Sequence, residues 1–257
     1  MNWDELTSPE IAALDRERTV VILPIGSLEQ HGNHMPLGTD SMLAEAVARA
    51  VARDRDHVVV LPCPAYGFSA HHMRFPGSVT LRAETLMAVC EDVVGSVVQH
   101  GFRRILVVNG HGGNAGIIDV LASTLGHRHY GKARIACLTY FTLARDAIAK
   151  LRQSEPGGMG HACEFETGLM LHLHPELVRM ERAATLYPDP GSIYLTTDLI
   201  GAQAVRVYHD FGDLSPTGTL GDPSLASAEA GEAFFDASVA ALGAFIEDFR
   251  GWSIPEA

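Results

Sequence analysis

Four stretches of this 257-residue chain gather side chains that can bind a cation or move a proton. The first is Gly26-Ser27-Leu28-Glu29-Gln30-His31-Gly32-Asn33-His34-Met35-Pro36-Leu37-Gly38-Thr39-Asp40. Glu29 and His31, two apart, point the same way in extended chain. A hard carboxylate oxygen beside a borderline imidazole nitrogen suits Zn²⁺, Mn²⁺ or Fe²⁺. Gly32 and Gly38 let the loop fold back, so Asp40 at the mouth of a following helix can return to the same point; the plainer reading makes Asp40 a helix cap and leaves Glu29 and His31 in solvent. The second stretch, Asn109-Gly110-His111-Gly112-Gly113-Asn114, either projects His111 from a sheet edge or is a tight turn with an incidental histidine. Its spacing matches neither a phosphate loop nor a dinucleotide fingerprint. In the third, His161-Ala162-Cys163-Glu164-Phe165-Glu166-Thr167, a helix would put His161 and Glu164 on one face and turn Glu166 away by about 200°. First-turn acids also simply complement a helix dipole. The fourth stretch, residues 66–78, carries His71, His72 and Ser78, which could orient a substrate or belong to a polar surface loop.

The elements that must position these groups alternate. Residues 19–25 (TVVILPI) read as a buried strand, followed by a helix through Ala44, Val47, Ala48 and Val51 at helical spacing. Residues 58–61 form the next strand, 83–99 a helix with Leu86, Val89, Cys90, Val93, Val94 and Val97 on one face, and 105–108 (ILVV) a third strand. A helix over 115–125, a strand over 133–138, a loop over 153–160, a helix over 162–173, an isolated strand over 204–208 and a final helix over 225–249 complete the pattern. The alternation predicts an α/β fold, a three-layer αβα sandwich with a mostly parallel central sheet, in a single domain spanning 1–257. Ligand-type residues then recur in loops that follow strands, at the carboxyl edge where open α/β sheets bind ligands.

Composition removes several functions. At 47% hydrophobic and 19% charged, the chain can bury a full core. Its formal charge of −12 repels phosphate backbones and anionic membranes, so neither nucleic acid nor a membrane is expected as a partner. The acidic start is no secretory signal and no run of about 18 apolar residues occurs. Cys63, Cys90, Cys137 and Cys163 are scattered, which fits a reducing cytoplasm.

Taken together, Gly-Ser-x-Glu-Gln-His-Gly with a following Gly-Thr-Asp, then Asn-Gly-His-Gly-Gly-Asn, then His-Ala-x-Glu-x-Glu-Thr resemble, in order, the creatininase family of metal-dependent amidohydrolases, which also includes formamide hydrolases and the mycofactocin precursor peptidase. The resemblance covers about 19–175, with a weaker echo from Ser215-Pro216-Thr217-Gly218 to Gly231. It implies a two-metal site (Zn, Mn or Fe) in a layered α/β fold, assembled as a homo-oligomer, usually a hexamer. Glu29, His31, Asp40 and His111 match the family's ligands, with Asp40 at the bridging position. Creatininase proper has an acidic ligand two residues after the histidine matched by His111, where this chain has Gly113. Glu164, beside His161 by the helical spacing, is the expected replacement and Glu166 the alternative. The implied reaction is attack of a metal-bridging hydroxide on a small non-peptide or cyclic amide, with His161 or Glu166 carrying a proton to the leaving nitrogen and His71, His72 and Ser78 meeting the substrate. Creatinine itself is a poor fit, because the only tryptophans, Trp3 and Trp252, lie outside every motif. A mononuclear hydrolase or lactonase, a peptidase of a small modified peptide, and a non-catalytic metal-binding module are the competing readings.

Overall fold

A computed structural model describes residues 1–201 and 205–256. After a short helix, α1 (Ser8–Ala13), the elements run β1 (Val20–Ile25), α2 (Thr39–Arg53), β2 (Val58–Val60), α3 (Ala83–Gln99), β3 (Arg104–Asn109), α4 (Ala115–Arg128), β4 (Arg134–Thr139), α5 (Tyr140–Leu143), α6 (Arg145–Leu151), β5 (Met159–His161), α7 (Glu164–Leu173), α8 (Phe211–Leu214), β6 (Leu220–Gly221) and α9 (Ala228–Gly251). β1 to β4 form one parallel sheet in the order β2-β1-β3-β4.

β1 is central, and its period-two alternation supplies both faces of the sheet. Val20 and Ile22 enter one core with Leu43 and Val47 of α2, Phe165 and Leu169 of α7, and Phe234 and Ile246 of α9. Val21, Leu23 and Ile25 enter the other, with Leu86 and Val94 of α3 and Leu121 and Leu125 of α4. A strand buried on both faces has to be continuously apolar, which is why residues 19–25 show no polar alternation. The three-layer α/β expectation therefore describes the molecule.

The differences are local. The expected loop over 153–160 ends in β5, which pairs antiparallel with β6 some sixty residues later in the chain. Two short helices, α5 and α6, occupy a stretch with no clear periodicity. Of the strand expected over 204–208, residue 204 lies outside the described residues and 205–208 are irregular. Among the described residues no helix is long and apolar enough to cross a membrane.

Candidate metal centre

The strand order places the site. From β1 the chain crosses to β2 on one side, then returns past β1 to β3 on the other, so the loops leaving β1 and β3 part toward opposite faces. Such a switch point opens a crevice at the carboxyl ends of the strands. The loop after β1 carries Glu29, His31 and, in the first turn of α2, Asp40; the loop after β3 carries His111. Gly32 takes the left-handed conformation, φ +62°, that turns the first loop back.

These side chains converge. His31 Nε2 lies 3.1 Å from Asp40 Oδ1 and His111 Nδ1 lies 2.9 Å from Asp40 Oδ2. His111 Nε2 is 3.2 Å from Glu29 Oε2, and all four residues are buried. Asp40 is no helix cap: Gly38 holds that position and the aspartate side chain caps nothing. Supporting hydrogen bonds fix the rings. His31 Nδ1 bonds the Glu29 carbonyl at 3.1 Å, leaving Nε2 to face Asp40. Glu29 Oε2 and Asp40 Oδ2 are buried, with the nitrogens of His111 as their polar neighbours at 3.2 and 2.9 Å. Buried carboxylate oxygens set among imidazole nitrogens are a donor set that fits divalent cations.

The two asparagines of Asn109-Gly110-His111-Gly112-Gly113-Asn114 staple the loops together. Asn109 Oδ1 accepts from His111 N at 3.0 Å, and its amide donates to Thr139 Oγ1 at the end of β4 at 3.0 Å. Asn114 Nδ2 donates to the Gly26 carbonyl and its Oδ1 accepts from Phe68 N, both at 3.0 Å, so one side chain joins the loops after β1 and β2. The stapling role of these asparagines goes beyond the sequence expectation, in which the motif only presents His111.

The segment between β5 and α7 corrects the expected ligand set. His161 ends a strand rather than beginning a helix, and Ala162 adopts φ +50°, a conformation rare outside glycine and concentrated at functional sites. Helix α7 therefore starts at Glu164, two residues later than expected. Glu164 does not reach the cluster: its carboxylate accepts from Gln153 N at 2.8 Å and Ser154 N at 2.9 Å. Glu166, turned about 200° from it, faces inward. It accepts from Ala162 N at 2.6 Å and offers a ligand atom within 4.8 Å of those of His31 and His161.

Electrostatics follow from enclosure. Burial raises Glu29 to about 8 against the pull of His111, and raises Glu166 to about 7 against His31. Burial opposes protonation of His31 and His111, but Asp40 and Glu29 overcome it, to about 10 and about 9. Asp40 resists its own burial because both histidines hold it below the usual carboxylate range. Burial, and then the charge of His31, push His161 well below the ordinary histidine value. Cations in place of protons would relieve the same crowd of acids.

Glu29, Asp40, His111, His161 and Glu166 line a cavity of about 610 Å³ whose walls include Phe68, His71, His72, Phe141 and Phe211. Ser78 is not in the wall; its hydroxyl accepts from Gln30 N at 3.0 Å beneath the first loop. Phe211, the first residue of the short α8, which no sequence signal marks, has its ring centroid 4.0 Å from that of His72. Trp3 and Trp252 pack against Phe102 and Phe249, outside the cavity.

The family model described as creatinine amidohydrolase matches residues 4–246. The mycofactocin precursor peptide peptidase of Mycobacterium tuberculosis is 33% identical over 244 residues, covering 91% of this chain and 87% of its own. The creatinine amidohydrolase of Pseudomonas putida is 29% identical over 262 residues, covering 96% and 95%. The solved structure "Creatininase Mn" matches with a TM-score of 0.80 at 30% identity, over 96% of this chain and 97% of that one. With these motifs at the switch point of this sheet and a family match spanning nearly its whole length, the chain belongs to the creatininase family of amidohydrolases.

Proposed function

We propose that the chain works as one unit and hydrolyses a non-peptide or cyclic amide of a small molecule, using two divalent ions, Zn²⁺, Mn²⁺ or Fe²⁺. The reading is carried by one observation: the buried side chains of Glu29, His31, Asp40 and His111 meet at one point, with His111 nitrogens 3.2 Å from Glu29 and 2.9 Å from Asp40. Glu29 and His111 would hold one ion and His31 the other, with Asp40 turning one oxygen toward each. Ions held there supply an activated water and polarise the amide carbonyl.

The chain's own groups do the rest. His161 bonds the Gln30 carbonyl through Nε2 at 2.7 Å, so its proton sits there and the Nδ1 lone pair faces the cluster. Nδ1 is thus placed to take a proton from water and return it to the leaving nitrogen. Glu166, steadied by the Ala162 amide, sits beside it with a value near neutrality and can share that proton. Phe211 packs against the rings of His71 and His72 in the cavity wall and gives the site an apolar side beside its imidazoles. Elemental analysis of the purified protein, with a hydrolysis screen of cyclic amides and N-formyl compounds, tests the reading. Metal bound at two ions per chain with turnover of one class supports it; a metal-replete protein inert to every amide contradicts it.

A second reading, trimming of a short modified peptide, is favoured by the 33% identity over 244 residues to the mycofactocin precursor peptide peptidase. Peptides included in the same screen separate the two. A homo-oligomer in the cytoplasm remains part of the proposal and is checked by light scattering and localisation.

A further inference from the structure

The position two residues after His111 is glycine, and its space is filled. A side chain at Gly113 would place its Cβ 2.3 Å from His111 Nε2, 2.6 Å from His71 Cε1 and 2.7 Å from the Phe68 carbonyl, so the space is closed in part by an imidazole from the loop after β2. The His71 ring lies nearly parallel to that of His111, at 14° and 5.8 Å between centroids. A ring nitrogen of His71 lies within 4.8 Å of ligand atoms of Glu29 and His111. Neither ring nitrogen of His71 makes a hydrogen bond among the described residues.

The adjacent histidine differs. His72 Nδ1 is 2.8 Å from Gln30 Nε2, and the Gln30 amide is oriented by accepting from Gly32 N at 2.9 Å and donating to the Gly218 carbonyl at 3.3 Å. The amide nitrogen must therefore donate to His72, whose own proton moves to Nε2 and points at Glu29 Oε1, 3.2 Å away. His72 steadies Glu29 as a donor and has no lone pair to give a cation. His71, whose ring nitrogens take no hydrogen bond among the described residues, can offer a lone pair from either nitrogen.

We propose that His71 is a metal ligand of the Glu29–His111 side, replacing with an imidazole nitrogen the carboxylate that position 113 lacks. The inference rests on the metal-hydrolase reading above. It makes this side richer in nitrogen, two imidazoles with the carboxylates of Glu29 and Asp40, and so shifts its preference from Mn²⁺ toward Co²⁺ and Zn²⁺.

The test uses the full-length protein, stripped with a chelator and titrated with Co²⁺ alone, followed by visible absorption and calorimetry. Wild type should take up two ions per chain. In His71→Ala one of them should bind about 10- to 100-fold more weakly, with its absorption bands changed, and added imidazole should restore both. His71→Glu should retain two ions while raising the Mn²⁺:Zn²⁺ affinity ratio at least about tenfold. If His71→Ala fails to fold, His71→Glu still decides through that ratio. Two unaltered Co²⁺ sites in His71→Ala, or an unmoved ratio in His71→Glu, would overturn the ligand role while leaving the metal-hydrolase reading intact. A wild type that takes up no Co²⁺ would overturn both.

Discussion

Replacing Asp40 by asparagine gives the sharpest test of the centre. Its two oxygens face different histidines, Oδ1 toward His31 at 3.1 Å and Oδ2 toward His111 at 2.9 Å. Loss of this one carboxylate therefore weakens both ion sites, whereas loss of either histidine weakens one. At a metal concentration about 100-fold above Kd, each filled site stabilises the native state by about 2.7 kcal/mol. Two sites contribute about 5 kcal/mol, and for a chain of this length each kcal/mol moves Tm by roughly 2–4 °C, so saturation should raise wild-type Tm by roughly 10–20 °C. The substitution also strands His31 and His111 without their anion, which lowers the metal-free Tm. The informative quantity is accordingly the rise on adding metal, not Tm itself. Scanning calorimetry with chelator and with excess Zn²⁺, joined to elemental analysis, should give two ions for wild type, one each for His31→Ala and His111→Ala, and none for Asp40→Asn, whose Tm barely moves. Two retained ions and a full rise in Asp40→Asn would refute the bridging geometry.

Other outcomes follow from the same contacts. Glu164→Gln should leave metal content unchanged but destabilise the protein by about 1–3 kcal/mol in denaturant titration, since its buried carboxylate holds two backbone amides at 153 and 154. Glu166→Gln should reduce kcat by about 10²- to 10⁴-fold for whatever amide the screen identifies, with fold intact by circular dichroism; an unchanged kcat removes it from proton transfer. The metal-free protein should lose stability with rising pH. His31, His111 and Glu29 bind protons more tightly folded than unfolded, so their contribution is complete below about pH 4.5 to 6.5 and disappears as pH passes about 8 to 10. Metal binding displaces those protons, so the metal-induced rise in Tm should grow over the same interval, and a rise independent of pH would contradict this ligand set.

Much of the fold is legible because the periodicities are strong and local. β1 announces a doubly covered strand by being apolar at every position, and α3 places Leu86, Cys90, Val94 and Val97 at helical spacing. The site was legible in part for the same reason: its residue types crowd the ends of strands, where this topology gathers them. What failed was direction. Whether Glu164 or Glu166 turns inward depends on the start of α7, and that depends on φ at Ala162 and on pairing of β5 with residues 220–221. Helical spacing separates the two acids by about 200° and cannot say which of them faces the cluster. Nor could it see Ser78 turn toward Gln30, or Phe211 arrive over His72 from a stretch without periodicity.

The chain order alone determined which chemical groups are available and that they lie at one edge of a parallel sheet, because alternating strands and helices leave those loops nowhere else to go. Only the tertiary structure decided which partners the rings of His72 and His161 meet, which of two neighbouring acids faces the cluster, and that His71 stands beside Gly113. These are set by hydrogen bonds between residues far apart in the chain, such as Gln30 with Gly218 and His161 with Gln30, which no local pattern encodes.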